Sequence, residues 1–246
     1  MLNSIYTQLK HKLLHLLEQF IPAQCLICQL ASDNKLICKD CKSSLLQQRT
    51  CCQHCGLSLP VSQHFCGDCI QQQHYFTKLH ALASYTTPYS SLIKELKYGK
   101  KLIIAEALGE LLSLSILENL NAQQIKSIEY LIAVPLHHKK LRQRGFNQAA
   151  LIAEAVAKQL SIPVLKDAIQ RHKETLPQEN LSINKRKKNL HGAFHIHDNV
   201  HLQNKHIAII DDVVTTGATI NSLCQSLLKA GVASITVFCI SRTDTA

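Results

Sequence analysis

Two groups of residues carry the chemistry legible in this chain. One is the stretch IIDDVVTTGATI, Ile209 to Ile220, where an apolar run leads to Asp211 and Asp212 and then to Thr215, Thr216, Gly217 and Thr219. Paired carboxylates accept hydrogen bonds from two adjacent hydroxyls, as on a ribose. The polar segment then enters a helix at its N-terminus, where free N–H groups and the helix dipole favour a phosphate. The threonine hydroxyls add donors, and Gly217 lets the backbone approach a ligand closely. Diol recognition followed by a phosphate cradle describes a ribose 5-phosphate. No Walker loop and no Gly-x-Gly-x-x-Gly turn occurs. An ordinary strand-to-helix turn with Asp as N-cap would account for one acid and one threonine, not for two acids and three threonines.

The other group is a cysteine block. Of 11 cysteines, those paired as Cys25/Cys28, Cys38/Cys41, Cys52/Cys55 and Cys66/Cys69 form four Cys-x-x-Cys turns. Cys25 to Cys52 and Cys28 to Cys55 are each 27 positions, and Cys38 to Cys66 and Cys41 to Cys69 are each 28, so one unit is used twice. A two-residue spacer presents two thiolates to one ion, and two such turns complete a tetrahedral Zn²⁺ site without an open position. Two structural zinc sites are expected, with redox Cys-x-x-Cys or an iron–sulfur cluster as the alternatives. The expected pairing is sequential, with the crossed pairing open. Gly56 and Gly67 suit a positive φ after their cysteines. Cys51 falls outside the repeat register, and His54 and His64 read as surface residues rather than ligands. The block has few large apolar residues, so metal must supply much of its stability.

The elements that position these groups follow from periodicity. The N-terminus, residues 1–24, spaces Ile5, Leu9, Leu13, Leu16, Leu17 and Phe20 as an amphipathic helix, docked on the protein or, alternatively, on a membrane surface. After a zinc module over 25–72 and a polar linker, a domain over 79–246 alternates strands and helices. Strands are expected at 79–85, 128–136, 162–165, 206–212 and 234–240. Helices are expected at 90–99 (capped by Ser90 or Ser91), 102–120, 146–160 and 219–231, the last closed by Gly231. The fold class is thus α/β with a parallel sheet, in which ligands bind beyond the carboxyl ends of strands. Cys224 and Cys239 read as small core residues.

Composition limits the rest. The formal net charge is +10, with 46% hydrophobic and 18% charged residues. That excludes a disordered chain and suits an anionic partner: nucleic acid, a phosphorylated small molecule or a membrane surface. No apolar run reaches the roughly 18 residues a spanning helix needs, and the N-terminus does not read as an export signal, so a cytoplasmic location is expected. Aromatic residues are only 5% with no tryptophan, which favours an electrostatic mode of strand binding. Lys139, Lys140, Arg142 and Arg144 form one basic cluster and Lys185 to Lys188 another; both read as solvated faces, the first also as a phosphate-binding loop.

The stretch IIDDVVTTGAT resembles the 5-phosphoribosyl-1-pyrophosphate (PRPP) motif of type I phosphoribosyltransferases. LLHLLEQFIPAQCLIC, VPLHHKKLRQRGFNQAALIA and RHKETLPQENLSINKRKKNLHGAF resemble the ComF family (ComFC or GntX-like proteins), and together these cover nearly the whole chain. The resemblance implies a double zinc ribbon before a Rossmann-like phosphoribosyltransferase domain. It implies that Asp211, Asp212, Val213, Val214, Thr215, Thr216, Gly217, Ala218 and Thr219 bind the ribose and its 5-phosphate. Pro135 and Leu136 would lie by the pyrophosphate, followed by Arg142, Arg144, Asn147 and Gln148. Arg171, Thr175, Gln178, Arg186 and Asn189 would belong to a mobile segment over the site, and Lys97 falls where the family places a lysine. One departure is CQL at the first zinc turn, where a glycine is common. The function implied is a competence-associated factor in DNA uptake that binds PRPP–Mg²⁺ and single-stranded DNA. A competence-machinery partner and a location peripheral to the inner membrane face go with it. The alternative is an active phosphoribosyltransferase with a nucleobase-like or other small acceptor.

Overall fold

The computed structural model describes residues 24–33, 35–47, 49–60, 64–72, 74–172, 192–197 and 200–244. The expected N-terminal helix up to residue 23, the second basic cluster, and Thr175, Gln178, Arg186 and Asn189 lie outside the described residues. The chain forms two compact units, Met1–Gln47 and Gln48–Ala246, which divide between the second and third Cys-x-x-Cys turns.

In the first unit, Cys25 N donates to Leu30 O and Gln29 N to Cys25 O, both at 2.9 Å, closing a tight knuckle. Gln29 sits at φ 61, the left-handed region where a glycine would be unstrained. Helix α1 (Lys39–Leu45) follows, its N-cap Cys38 accepting from Cys41 N.

The second unit begins with the same fold of chain. Gly56, the counterpart of Gln29, has φ 67. Gly67 does not adopt a positive φ; it is the first residue of helix α2 (Gly67–Gln71). The segment after α2 is not merely a polar linker. Phe76 is buried, and Tyr75 N donates to Asn221 Oδ1 at 3.2 Å.

The main sheet has four parallel strands in the order β1 (Lys78–Ser84), β6 (Ser234–Arg242), β5 (His206–Val214), β2 (Tyr130–Ala133). Parallel strands need crossover connections, and helices supply them. These are α3 (Tyr89–Lys97), α4 (Ile103–Asn119), α5 (Ala122–Lys126), α6 (His138–Arg144), α7 (Gln148–Leu160) and α8 (Ala218–Lys229). β5 and β6 are nearly continuous apolar runs, as a sheet covered on both faces requires.

Strand parity divides the core. Ile207, Ile209, Ile235, Val237 and Cys239 pack with Ile220, Leu223 and Leu227 of α8 and with Cys52, Cys55 and Cys66. The opposite parity faces α4, where His80 of β1 bonds Ser115 Oγ at 2.9 Å and meets Phe238 edge-on. Cys224 and Cys239 are fully buried. Helices α4 and α7 approach closely because Gly109 has no side chain; a Cβ there would lie 2.4 Å from Ala155 Cβ.

Three expectations need correction, and one further element lay outside them. Residues 162–165 make no strand: Val164 forms one isolated bridge to Leu131, because Pro163 has no N–H to extend a ladder. The basic stretch 138–144 is a short helix, α6, capped by His137 and ended by Gly145 at φ 88. Helix α3 starts at Tyr89, after Pro88, and not at a serine cap. An antiparallel pair, β3 (Ile169–Arg171) with β4 (Phe194–Ile196), stands apart from the main sheet. Among the described residues, no helix is long and apolar enough to cross a membrane.

Candidate functional site: a carboxylate pair and a helix N-terminus

β2 pairs with β5 only as far as Ala133 and Ile210, while β6 accompanies β5 through Val214. Asp211 to Val214 therefore run past the end of β2 with one edge open. This is the carboxyl edge where parallel sheets hold ligands. The strand continues beyond the acids instead of ending at them.

Asp211 and Asp212 lie on opposite faces, as adjacent strand residues must. Asp212 is 3% exposed. Its Oδ2 pairs with Lys97 Nζ at the end of α3, and its Oδ1 accepts from Gln148 Nε2 of α7 at 3.0 Å. Gln148 Oε1 in turn accepts from Arg144 Nη1. Asp211 is half-buried on the other face and accepts from Asp212 N at 2.9 Å. Burial and the neighbouring charge of Asp212 push the Asp211 carboxyl well above the usual range, and Lys97 only partly offsets them. Arg171 of β3 is half-buried; desolvation lowers its pKa, and attraction from Asp211 opposes this.

Past Val214 the chain turns at Thr215 and Thr216 and enters α8. Gly217, at φ 74, is the N-cap and has no side chain to offer the first turn, while Thr216 Oγ1 accepts from Ala218 N at 3.4 Å. The N-terminal N–H groups of α8 border a hollow of about 40 Å³ lined by Asp211, Val213, Val214, Thr215, Gly217, Ala218, Thr219 and Ile220. A Cβ on Gly217 would meet no atom within 4 Å, so its φ, not crowding, calls for glycine.

The loop after β2 holds Pro135 and Leu136, both half-buried. Asn147 anchors this turn: its Nδ2 donates to Val134 O and its Oδ1 caps α7, each at 3.0 Å. Arg142 is exposed, whereas Arg144 is held by Gln148 and lies over the Tyr98 ring, 5.8 Å from its centroid. Lys97, Asp212, Gln148 and Arg144 thus form one network. The pairing of Lys97 and Gln148 with Asp212 has no local sequence signal, since α3, α7 and β5 are far apart in the chain.

Two cysteine groups each bring four Sγ atoms within 4.8 Å of one another: Cys25, Cys28, Cys38, Cys41 and Cys52, Cys55, Cys66, Cys69. The pairing is sequential. Sγ–Sγ distances are 3.8 Å (Cys28–Cys38) and 3.6 Å (Cys55–Cys66). Zn–S bonds of about 2.3 Å set tetrahedral edges of about 3.8 Å, so both groups fit zinc. Backbone N–H groups of Ile27 and Cys38 point at Cys25 Sγ, both at 3.4 Å. Burial would raise that thiol, but these donors outweigh it and lower it to about 6. Cys51 and His64 belong to neither group; His64 bonds Gln53 at 2.9 Å. His54 is half-buried and packs at a tilt against His74 and Phe76, with centroids at 5.3 and 5.2 Å, while those two rings stack on each other at 4.9 Å.

The second cysteine group is tied to the site. Arg242, the last residue of β6, donates through Nε to Cys55 O at 3.3 Å and through Nη1 to Val214 O at 3.2 Å. Asn221, in the first turn of α8, bonds His74 Nδ1 at 3.1 Å. Arg49 fixes the same ribbon half to β1 through Ala81 O at 2.7 Å and Ser84 Oγ at 3.1 Å. The positions of Arg242 and Asn221 gave no motif signal.

Comparison with known proteins matches residues 16–70 to the double zinc ribbon domain and residues 147–244 to the phosphoribosyl transferase domain. The chain is 35% identical over 225 residues to "DNA utilization protein YhgH" of Shigella flexneri, covering 91% of this chain and 98% of that protein. It belongs to the ComF family. "Competence protein F" of Haemophilus influenzae is 33% identical, covering 84% of this chain and 90% of that protein. "Competence protein ComFC" of Streptococcus pneumoniae is 25% identical, covering 87% and 90%. In this ComF-type chain the ribbon match spans both cysteine groups, and the transferase match spans α7 through β6, with the carboxylate pair and the α8 entry inside it.

Proposed function

We propose that this ComF-type chain binds a 5-phosphoribosyl ligand, PRPP with Mg²⁺, at the end of β5, and serves DNA utilisation or natural competence as its relatives' names indicate. The observation that carries the reading is one short segment. It joins two carboxylates at an open sheet edge to a helix N-terminus that has a glycine at its N-cap and threonine hydroxyls around it. In this reading the α8 N–H groups with Thr215, Thr216 and Thr219 take the 5-phosphate, and Asp211 and Asp212 take the ribose diol. Because Asp212 is held by Lys97 and Gln148 on the opposite face, ligand entry exchanges at least one of those bonds for a ribose hydroxyl. Released Lys97 then faces the pyrophosphate together with Mg²⁺, and Pro135, Leu136, Arg142 and Arg144 flank it. The segment containing Gln178, Arg186 and Asn189 joins β3 to β4 and, with Arg171, is assigned to cover the sugar. The net charge of +10 supports a single-stranded DNA partner, bound chiefly through its phosphates.

The match to a phosphoribosyl transferase domain favours a second reading, transfer of the held sugar. The anomeric C–O bond to pyrophosphate breaks through an oxocarbenium-like state, a small acceptor forms the new bond, and its proton leaves to solvent. The residues described here would orient the sugar and hold the leaving charge. A titration of ribose 5-phosphate against 2-deoxyribose 5-phosphate tests the diol assignment. The deoxy sugar is expected to bind at least tenfold more weakly, and equal affinities would remove the carboxylate pair from the site. Pyrophosphate release on adding candidate acceptors would support transfer; silence with all of them would favour binding alone.

A further inference from the structure

Tyr98 is the most solvent-exposed of the large aromatic residues described, at 75%, against 46% for Phe65 and 44% for Tyr75. It caps the C-terminal end of α3 and directly follows Lys97, whose ammonium pairs with Asp212. From the other side, Arg144 lies over its ring at 5.8 Å and reaches Asp212 through Gln148. An open aromatic face is thus tethered on two sides to a carboxylate of the proposed ribose site. Lys94, Lys100 and Arg142 are exposed along α3, the turn after it and α6.

We propose that Tyr98 is a stacking platform for a nucleobase beside the 5-phosphoribosyl site, with the Arg144 guanidinium as the second wall. Bases stack on aromatic rings and on guanidinium planes alike. A base sandwiched in van der Waals contact at about 3.5 Å from each plane needs a gap of about 7 Å. The guanidinium carbon stands 5.8 Å from the ring centroid, so the arginine must swing outward by at least about 1 Å to admit the base. Nothing in the core depends on the ring, because its burial is slight. The inference rests on the ribose reading above. The heteroaromatic ring can come from two sources, a base within single-stranded DNA or a small free base next to bound PRPP.

The chain contains no tryptophan, so Tyr98→Trp places a single tryptophan at the platform, which can be excited selectively over the remaining tyrosines. Quenching by an oligo-dT strand at low salt supports the strand source. Quenching by adenine only when PRPP–Mg²⁺ is present supports the small-base source. Tyr98→Ala is expected to weaken the quenching ligand by roughly 5- to 150-fold, whereas Tyr98→Phe keeps its affinity within about threefold. Unchanged emission with both probes, in a variant that still binds PRPP–Mg²⁺, overturns the platform and leaves the ribose reading standing. Absence of PRPP binding by the wild-type chain overturns the ribose reading itself.

Discussion

Replacing Lys97 by methionine tests the network that holds Asp212. The Asp212 side chain is 4% exposed and that of Lys97 19%, so the pair is buried on the acid's side. Removing one partner of a buried pair costs about 3–5 kcal/mol, because the remaining charge is left uncompensated. Gln148 still donates to Oδ1 at 3.0 Å, which places the expected loss near the lower end, about 3 kcal/mol. For a unit of this size about 3 kcal/mol corresponds to a Tm lower by roughly 6–12 °C. Urea denaturation and thermal scans of zinc-loaded protein at neutral pH read both quantities. Lys97→Met combined with Asp212→Asn removes both charges and should recover most of the loss, giving a coupling of about 2–3 kcal/mol in a double-mutant cycle. A single variant that loses less than about 1 kcal/mol, or a double variant no more stable than the single, would refute the buried-pair reasoning.

Further outcomes follow from other parts of the molecule. Gly109→Ala forces α4 and α7 apart, since its Cβ would sit 2.4 Å from Ala155 Cβ; a net destabilisation of about 1–3 kcal/mol in urea is expected despite the better helix propensity. Elemental analysis should find two zinc ions per chain. Cys55→Ser, whose cysteine lies in the main core, should lower the main thermal transition and weaken ribose 5-phosphate binding. Arg242→Ala should weaken that binding with both zinc ions retained, and Cys28→Ser should leave it unchanged. His80, desolvated and near Lys78 and Arg49, is lowered from 6.5 to about 4. The unfolded chain therefore binds more protons between those values, and His80 contributes stability that is lost as pH falls through that window. The loss amounts to about 3 kcal/mol, and His80→Asn should flatten this part of the pH–stability curve.

The two chemical groups were legible because each is local. The 27- and 28-residue spacings announce a repeated ribbon, and the acid pair followed by threonines announces a sugar-phosphate loop. The α/β class followed from alternating apolar runs. Parity along β5 also lay in the sequence: adjacent acids on a strand face opposite ways, and a reading that sends both to one diol has to include their release. What stayed hidden depends on distant partners. Lys97 and Gln148 meet Asp212 only through the sheet order, and Arg242 joins Cys55 to Val214 across β6. The second ribbon half was expected to stand on its zinc, yet Cys52, Cys55 and Cys66 sit in the same core as α8. The strand expected at 162–165 failed on Pro163, and α6 was obscured because its seven residues are mostly charged.

The most direct measurement is isothermal titration of PRPP–Mg²⁺ into the zinc-loaded chain and into its Asp212→Asn variant. The account predicts saturable binding at one site per chain, weakened at least tenfold in the variant. No binding by the wild-type chain, or equal affinity in the variant, would contradict it.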